Sequence, residues 1–395
     1  MGATVDWGFA RTVAGKVAGT DPFAESYHNT SLVDDLLELT VQAEQLVEAE
    51  TGLVSAAGAA KARVTDRLGW VDANLASFER LMRPLIGRLN ADTHADAGVN
   101  AAGGAGAPSP EPIAAGHAAV VESSPWAAVG RVLTSVGDTV GPKVAGAELG
   151  AMLGWMSSRV LGQYDLLITE DERPHEQDWV YYVGPNVLSL EKRYGFAPRE
   201  FRLWLAVHEC THRAQFTGVP WLRPYFLSLV NELLDSVDPD PKRVIDAIGE
   251  LVRDSRGGNG PSLKDGGLSL LLATPEQRET MKKVSGLMSL LEGHGDLIMD
   301  RATVGVIPSQ KRFARVMSQR RKNANGITRL IQRVTGIEAK LAQYEEGEDF
   351  VRAVETAGGR DLFDQVWSGP DALPTIDEIR EPDRWIERLR APAGA

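Results

Sequence analysis

One cysteine, Cys210, stands in the 395 residues, so no intramolecular disulfide can form, which suits a reducing compartment. Basic residues are in the minority: Lys+Arg number 42 against 54 Asp+Glu, a formal net charge of −12. That balance argues against a nucleic-acid-binding protein, whose footprint is a basic face. No run of about 18 uncharged apolar residues occurs, so no membrane span is expected. The nearest stretch, 144–161, is broken by Glu148 and Arg159. The start has no basic region leading into an apolar run, so no secretory signal is read and a cytoplasmic protein is expected. No Gly-x-Gly-x-x-Gly lies between a strand and a helix, which removes the usual dinucleotide fingerprint. No internal repeat is evident. What is present, 43% hydrophobic and 24% charged residues, is enough for a sizeable core.

The apolar spacing is mostly helical. Residues 31–54 read as a helix with Ser31 as N-cap, Asp34 three residues on, and a broad apolar face of Leu32, Leu36, Leu37, Leu39, Val41, Leu46 and Val47. Residues 65–89 read as a second long helix carrying Leu68, Val71, Leu75, Phe78, Leu81 and Leu85, with Pro84 near its end. The simplest arrangement of this pair is an αα-hairpin packed on the rest, making 1–90 an N-terminal helical region. Residues 91–117 are rich in Ala, Gly and Pro and read as a flexible linker or loop. Residues 118–395 are expected to form one larger helical domain. Gly146, Gly150 and Gly154 repeat every four residues, a stripe that lets another helix approach closely. Short strands are expected at 164–169, 178–183 and 186–190, with a turn at 184–186. Helices follow at about 221–236, 240–256, 275–305, 308–335, 337–357 and 376–390. The fold class is therefore mainly α, with a small β-sheet just before the helix that carries the chemistry.

That helix opens at Pro198 and closes at Gly218 and Pro220. It contains His208-Glu209-Cys210-Thr211-His212, an H-E-x-x-H pattern. Imidazoles four residues apart share one face, with Cβ atoms about 5–6 Å apart, which suits two nitrogens meeting one zinc ion. Glu209 is turned about 100° away, where a carboxylate reaches water beside the metal rather than the metal, the place of a general base. Phe201 and Leu205 share the stripe of His208 and His212, with Trp204, Thr211 and Gln215 flanking it, so the imidazoles belong on a buried side.

A third ligand is required, and 281–300 offers candidates. Val284, Met288, Leu291, Glu292, Gly295 and Met299 follow one stripe, so Glu292 takes the place of an apolar residue on a core-facing side. A buried carboxylate is costly unless paired or metal-bound. Gly293 and Gly295 beside it leave room for another backbone or a ligand. Asp296 and Asp300 follow at four-residue steps and could accept the second ring N–H of His208 or His212. His294, off the stripe, is an alternative ligand or a donor to a developing oxyanion. Cys210 reads as a small buried residue, Tyr181 and Tyr182 as packing aromatics, and Lys311, Arg312, Arg315, Arg320, Arg321 and Lys322 as a solvated basic face.

Two blocks carry a further signal. His208-Glu-Cys-Thr-His-Arg-Ala-Gln-Phe-Thr-Gly-Val-Pro-Trp-Leu222, followed by Glu292-Gly-His-Gly-Asp-Leu-Ile-Met-Asp300, resembles the bacterial zincin-like family of hydrolases and zinc-dependent metalloproteases. Val5-Asp6-Trp7 and Leu161-Gly-Gln-Tyr-Asp165 extend the resemblance over most of the chain outside the Ala/Gly-rich stretch. Some members of that family carry a label linking them to biosynthesis of a deazaflavin coenzyme. The resemblance implies a mainly helical zincin-like core, Zn2+ held by His208, His212 and a ligand from the Glu292 block, and Glu209 as base. The expected function is a zinc hydrolase cleaving a peptide or small amide. The alternatives are a metal-stabilised binding protein without hydrolysis and an accessory protein of coenzyme metabolism.

Overall fold

The computed structural model describes residues 5–21, 23, 26, 28–100, 141–166, 178–235, 274–322 and 337–391. The chain is mainly helical, as expected, around a three-stranded sheet. In order it runs α1 (Trp7–Ala18), α2 (His28–Thr51), β1 (Lys61–Thr65), α3 (Arg67–Asn100), α4 (Gly141–Ser157), β2 (Gly162–Tyr164) and β3 (Trp179–Val183). There follow α5 (Gly184–Tyr194), α6 (Pro198–Gly218), α7 (Leu222–Asp235), α8 (Pro275–Ala302), α9 (Gln310–Lys322), α10 (Ile337–Phe363), α11 (Ile376–Arg380) and α12 (Pro382–Arg390). No helix among the described residues is long and apolar enough to cross a membrane.

The sheet order is β1-β3-β2. β1 lies parallel to β3, with Val64 opposite Tyr182, and β2 lies antiparallel to β3, with Gly162 opposite Tyr182. β2 is therefore an edge. The face bearing Val180 and Tyr182 turns to α2, where the Tyr182 hydroxyl meets Thr40 Oγ1 at 2.9 Å. α6 is the central helix, with fourteen of its residues buried from Phe201 to Phe216. α2 runs along one side of it, and ion pairs and contacts advance together on the two helices. Asp35 accepts from Arg202 at 2.6 Å, the Thr40 carbonyl from the Cys210 thiol at 3.6 Å, and Glu44 from Arg213. α8 covers another side and is antiparallel to α6, because contacts from α6 positions 208, 212 and 215 fall at 296, 292 and 291.

The glycine stripe does what its spacing predicts. A Cβ at Gly146, Gly150 or Gly154 would lie 2.5, 2.2 or 2.5 Å from the carbonyl oxygens of Asp6, Ala10 and Ala14. Small residues on both helices thus let α1 and α4 pack backbone to backbone.

Several expectations are corrected. The αα-hairpin over 31–89 does not form, because β1 intervenes between α2 and α3. α2 buries Leu36 and Val47 with the sheet and α6, whereas α3 buries Trp70, Val71 and Leu75 against α1 and α4. β1 is five residues long and carries Lys61 and Arg63, so its apolar signal is weak; it is a strand because β3 offers it a backbone ladder. Ser31 is not the N-cap but lies inside α2, its hydroxyl donating to the His28 carbonyl. Residues 91–100, read as linker, continue α3 through Pro84, and 101–117 lie outside the described residues. The turn at 184–186 and the strand at 186–190 are the start of α5: Pro185 fits the first helical turn, which has no use for its missing N–H. β2 occupies only 162–164, and the rest of the strand expected over 164–169 runs into 167–169, outside the described residues, as does 240–256. The helix expected over 376–390 is two, parted at Glu381 before Pro382.

Candidate metal centre

α6 sets the first half of the site. His208 and His212, one turn apart, have ring centroids 4.7 Å apart and planes at 87°, with their Nε2 atoms 3.3 Å from each other. α8 supplies the other half. Thr274 and Gln277 close a capping box at its start, with Pro275 in the first turn, so its register is fixed well before the site. One helix face then places Glu292 Oε2 3.6 Å from His212 Nε2. Donor atoms of His208, His212 and Glu292 lie within 4.8 Å of one another, the group among the described residues able to hold a metal ion.

Two of the glycines of α8, Gly293 and Gly295, have separate uses. A Cβ at Gly293 would lie 2.2 Å from the carbonyl carbon of Gly347, so this glycine admits the backbone of α10. A Cβ at Gly295 would stand 3.2 Å from His212 Cε1 and 3.8 Å from His208 Cε1, so this one makes room for the imidazoles.

Glu209 faces the edge strand. Its carboxylate packs so closely over Gly162 that a Cβ there would lie 2.6 Å from Oε1. The Tyr164 backbone amide favours its ionised form. Burial pushes Glu209 up to about 7; His212 and the Tyr164 amide oppose that shift and Glu292 adds to it. At His212 burial disfavours the imidazolium, but the Glu292 and Glu209 carboxylates outweigh it and raise the pKa to about 9.

The remaining candidates separate. Asp296 Oδ1 lies 3.8 Å from His208 Nδ1, beside the ring. Asp300 is one turn further along, about 6 Å by helix rise, and its expected role toward the imidazoles is corrected. Burial and Glu348 raise its pKa and Arg352 lowers it, so its electrostatic neighbours are on α10. His294 is buried, stacked on Phe363 with centroids 5.3 Å apart, and its Nδ1 lies 2.9 Å from Gln215 Nε2. Burial, with His212, Arg360 and Arg301, lowers it to about 3, so it is neutral. Its ring is occupied behind the site rather than at it. Gln215 itself was legible only as a flanking residue; its spacing three after His212 put it on the same face and was the available signal. Gly162 was legible only as a member of the Leu161-Gly-Gln-Tyr-Asp165 block, with no sign of its contact with Glu209. Burial raises the Cys210 thiol, and Tyr182 is fully covered beneath α2, so neither reaches the centre. On the far side of α6 the buried Arg213 guanidinium donates to Asp178 and to the Gly58 carbonyl, anchoring the entry to β3.

A mainly helical core, a small sheet, and an H-E-x-x-H helix whose glutamate lies against the edge strand define a zincin-like protein. The chain belongs to the zincin-like metallopeptidase family, whose model matches residues 5–386. It is also similar to a crystal structure from Chloroflexus aurantiacus, described as a candidate hydrolase with a novel fold. The TM-score is 0.62 and the identity 26%, covering 98% of this chain and 100% of that one. No curated protein matches.

Proposed function

We propose that this protein is a zinc-dependent hydrolase that cleaves a peptide or small amide bond, with His208, His212 and Glu292 as metal ligands. The observation that carries the reading is the convergence of two imidazole nitrogens and one carboxylate oxygen, with a second carboxylate beside them rather than among them. The donor set, two imidazole nitrogens and one carboxylate oxygen, is one that zinc favours; His212 Nε2 lies 3.3 Å from His208 Nε2 and 3.6 Å from Glu292 Oε2, and all three donor atoms lie within 4.8 Å of one another. Zinc held there supplies Lewis acidity that polarises a carbonyl and acidifies water.

The protein's own groups do the rest. Glu209 is screened from bulk water and takes the proton from the attacking water, passing it to the leaving nitrogen. Burial favours the protonated form of Glu209, the direction a group that must carry a proton needs. Gly162, which has no side chain, allows Glu209 to lie against β2.

The test is zinc content and turnover of wild type and Glu209→Gln on a peptide and amide library. The variant should keep zinc and lose about 10²–10⁴ in rate. Undiminished turnover in Glu209→Gln, or a wild type that takes up no zinc on reconstitution, defeats the reading.

A further inference from the structure

Gln215 has three described partners, and together they permit only one arrangement of its side-chain amide. Nε2 lies 3.0 Å from the Leu291 carbonyl oxygen and 2.9 Å from His294 Nδ1, while Oε1 lies 3.1 Å from His212 Nδ1. A backbone carbonyl only accepts, so the atom facing Leu291 must be the donor. Rotating the amide would set two acceptor oxygens against each other inside a side chain with no exposure, where repulsion is costly. The Leu291 carbonyl thus decides which way the amide points.

The protons on two histidines follow. With one amide hydrogen on the Leu291 carbonyl, the second falls on His294 Nδ1, which must present its lone pair. Oε1 can only accept, so the proton between it and His212 sits on Nδ1 of the imidazole. A neutral imidazole has one N–H and one lone pair. In the neutral ring, the form that can take a metal ion, a proton held at Nδ1 leaves the lone pair of His212 at Nε2. That is the atom 3.6 Å from Glu292 and 3.3 Å from His208 Nε2.

We propose that Gln215 is a positioning residue that fixes His212 as the Nδ1–H tautomer and so keeps Nε2 ready for a metal ion. The fixed points are the Leu291 carbonyl and His294, stacked on Phe363. The proposal rests on the metal reading above for its consequence, though the tautomer of the neutral ring follows from the chain's own hydrogen bonds. It also gives His294 a role that needs no contact with metal: held between Phe363 and Trp367, it receives the second amide hydrogen. The carboxamide acts from α6 onto α8, so it ties the ligand on one helix to the backbone of the other. Leu291 directly precedes Glu292, and the same bond that orients His212 therefore holds the stretch of α8 that bears the third donor.

Two variants separate this role from simple packing. Gln215→Met keeps the length and removes every hydrogen bond. Gln215→Glu keeps an acceptor for His212 and loses the donors to Leu291 and His294. Zinc affinity, by competition with a chromophoric chelator, should fall about 10–100-fold in Gln215→Met. Gln215→Glu should hold zinc more tightly than Gln215→Met while being less stable than wild type to heat. Equal affinity in Gln215→Met and wild type overturns the proposal. So does a Gln215→Glu variant as weak as Gln215→Met. A measurement that needs no variant is long-range proton–nitrogen NMR of the wild type, zinc-loaded and, at alkaline pH, metal-free. A His212 proton on Nδ1 in both supports the assignment, and one on Nε2 refutes it. If the wild type takes up no zinc, the metal reading fails, and the metal-free spectrum still decides the tautomer.

Discussion

Gly293 and Gly295 lie two residues apart on α8, yet alanine at each should act on a different property. In a helix interior the change from Gly to Ala favours the helix by about 1 kcal/mol. At Gly293 the new Cβ would stand 2.2 Å from the Gly347 carbonyl carbon, 2.3 Å from the Glu348 nitrogen and 2.6 Å from the Gly347 Cα. All three are backbone atoms, so no rotamer relieves the contact. Carbon atoms pack at about 3.5–4.0 Å, so α8 and α10 must part by about 1 Å or more. Overpacking costs about 1–3 kcal/mol. The parting also loosens the cluster of Leu290, Leu297, Phe350, Val351 and Val354, where a gap of that size forfeits about a quarter to a half of each contact. The net loss is about 2 kcal/mol, seen in urea unfolding as a midpoint lower by roughly 0.5–1 M. At Gly295 the nearest atom is His212 Cε1 at 3.2 Å, part of a ring that can tilt. Stability should stay within about 1 kcal/mol of wild type, while zinc affinity falls because the ring is displaced. Gly293→Ala as stable as wild type, or Gly295→Ala with unchanged zinc affinity, would refute the packing argument.

The third ligand is decided by Glu292→Ala and His294→Ala: metal analysis should find zinc lost from the first and retained by the second. Zinc at 100 times its dissociation constant should add about 2.7 kcal/mol to stability, read as a higher melting temperature that a chelator reverses and His208→Ala abolishes. Glu378 gives a pH dependence far from the site. Burial opposes its ionisation, but Arg388 and the hydroxyl and amide of Thr375 outweigh that and lower its pKa. A depressed carboxylate stabilises the fold above its unfolded pKa, about 4.3, and the contribution fades as pH falls below that value. Glu378→Gln should therefore cost about 1 kcal/mol at neutral pH and progressively less toward acid, in melts compared across pH.

Much of the site could be read along single helices. His208, Glu209 and His212 are related by one turn, and Glu292 stood out as an acid on an apolar stripe. The fourfold glycine spacing of α4 announced a close neighbour without saying that it would be Ala10 and Ala14 of α1. Some expectations failed locally, as where the turn and strand read over 184–190 are the start of α5; others concern partners distant in sequence. β1 has too little apolar pattern to declare itself and exists through pairing with β3. Asp300 shares a face with Asp296 in a helical projection but lies a turn beyond the imidazoles.

The sequence by itself thus determined the helices, the pair of imidazoles and the acid between them, because helical periodicity is a local property set by neighbours three and four residues away. Only the tertiary structure decided that Glu292 rather than His294 meets those imidazoles, that Glu209 rests on Gly162, and that Gln215 spans to Leu291. Those outcomes depend on the register of α8 against α6. That register is set by where backbones can touch, as at Gly293 and Gly347, and by which buried donors find acceptors, neither of which is written in any one stretch of chain.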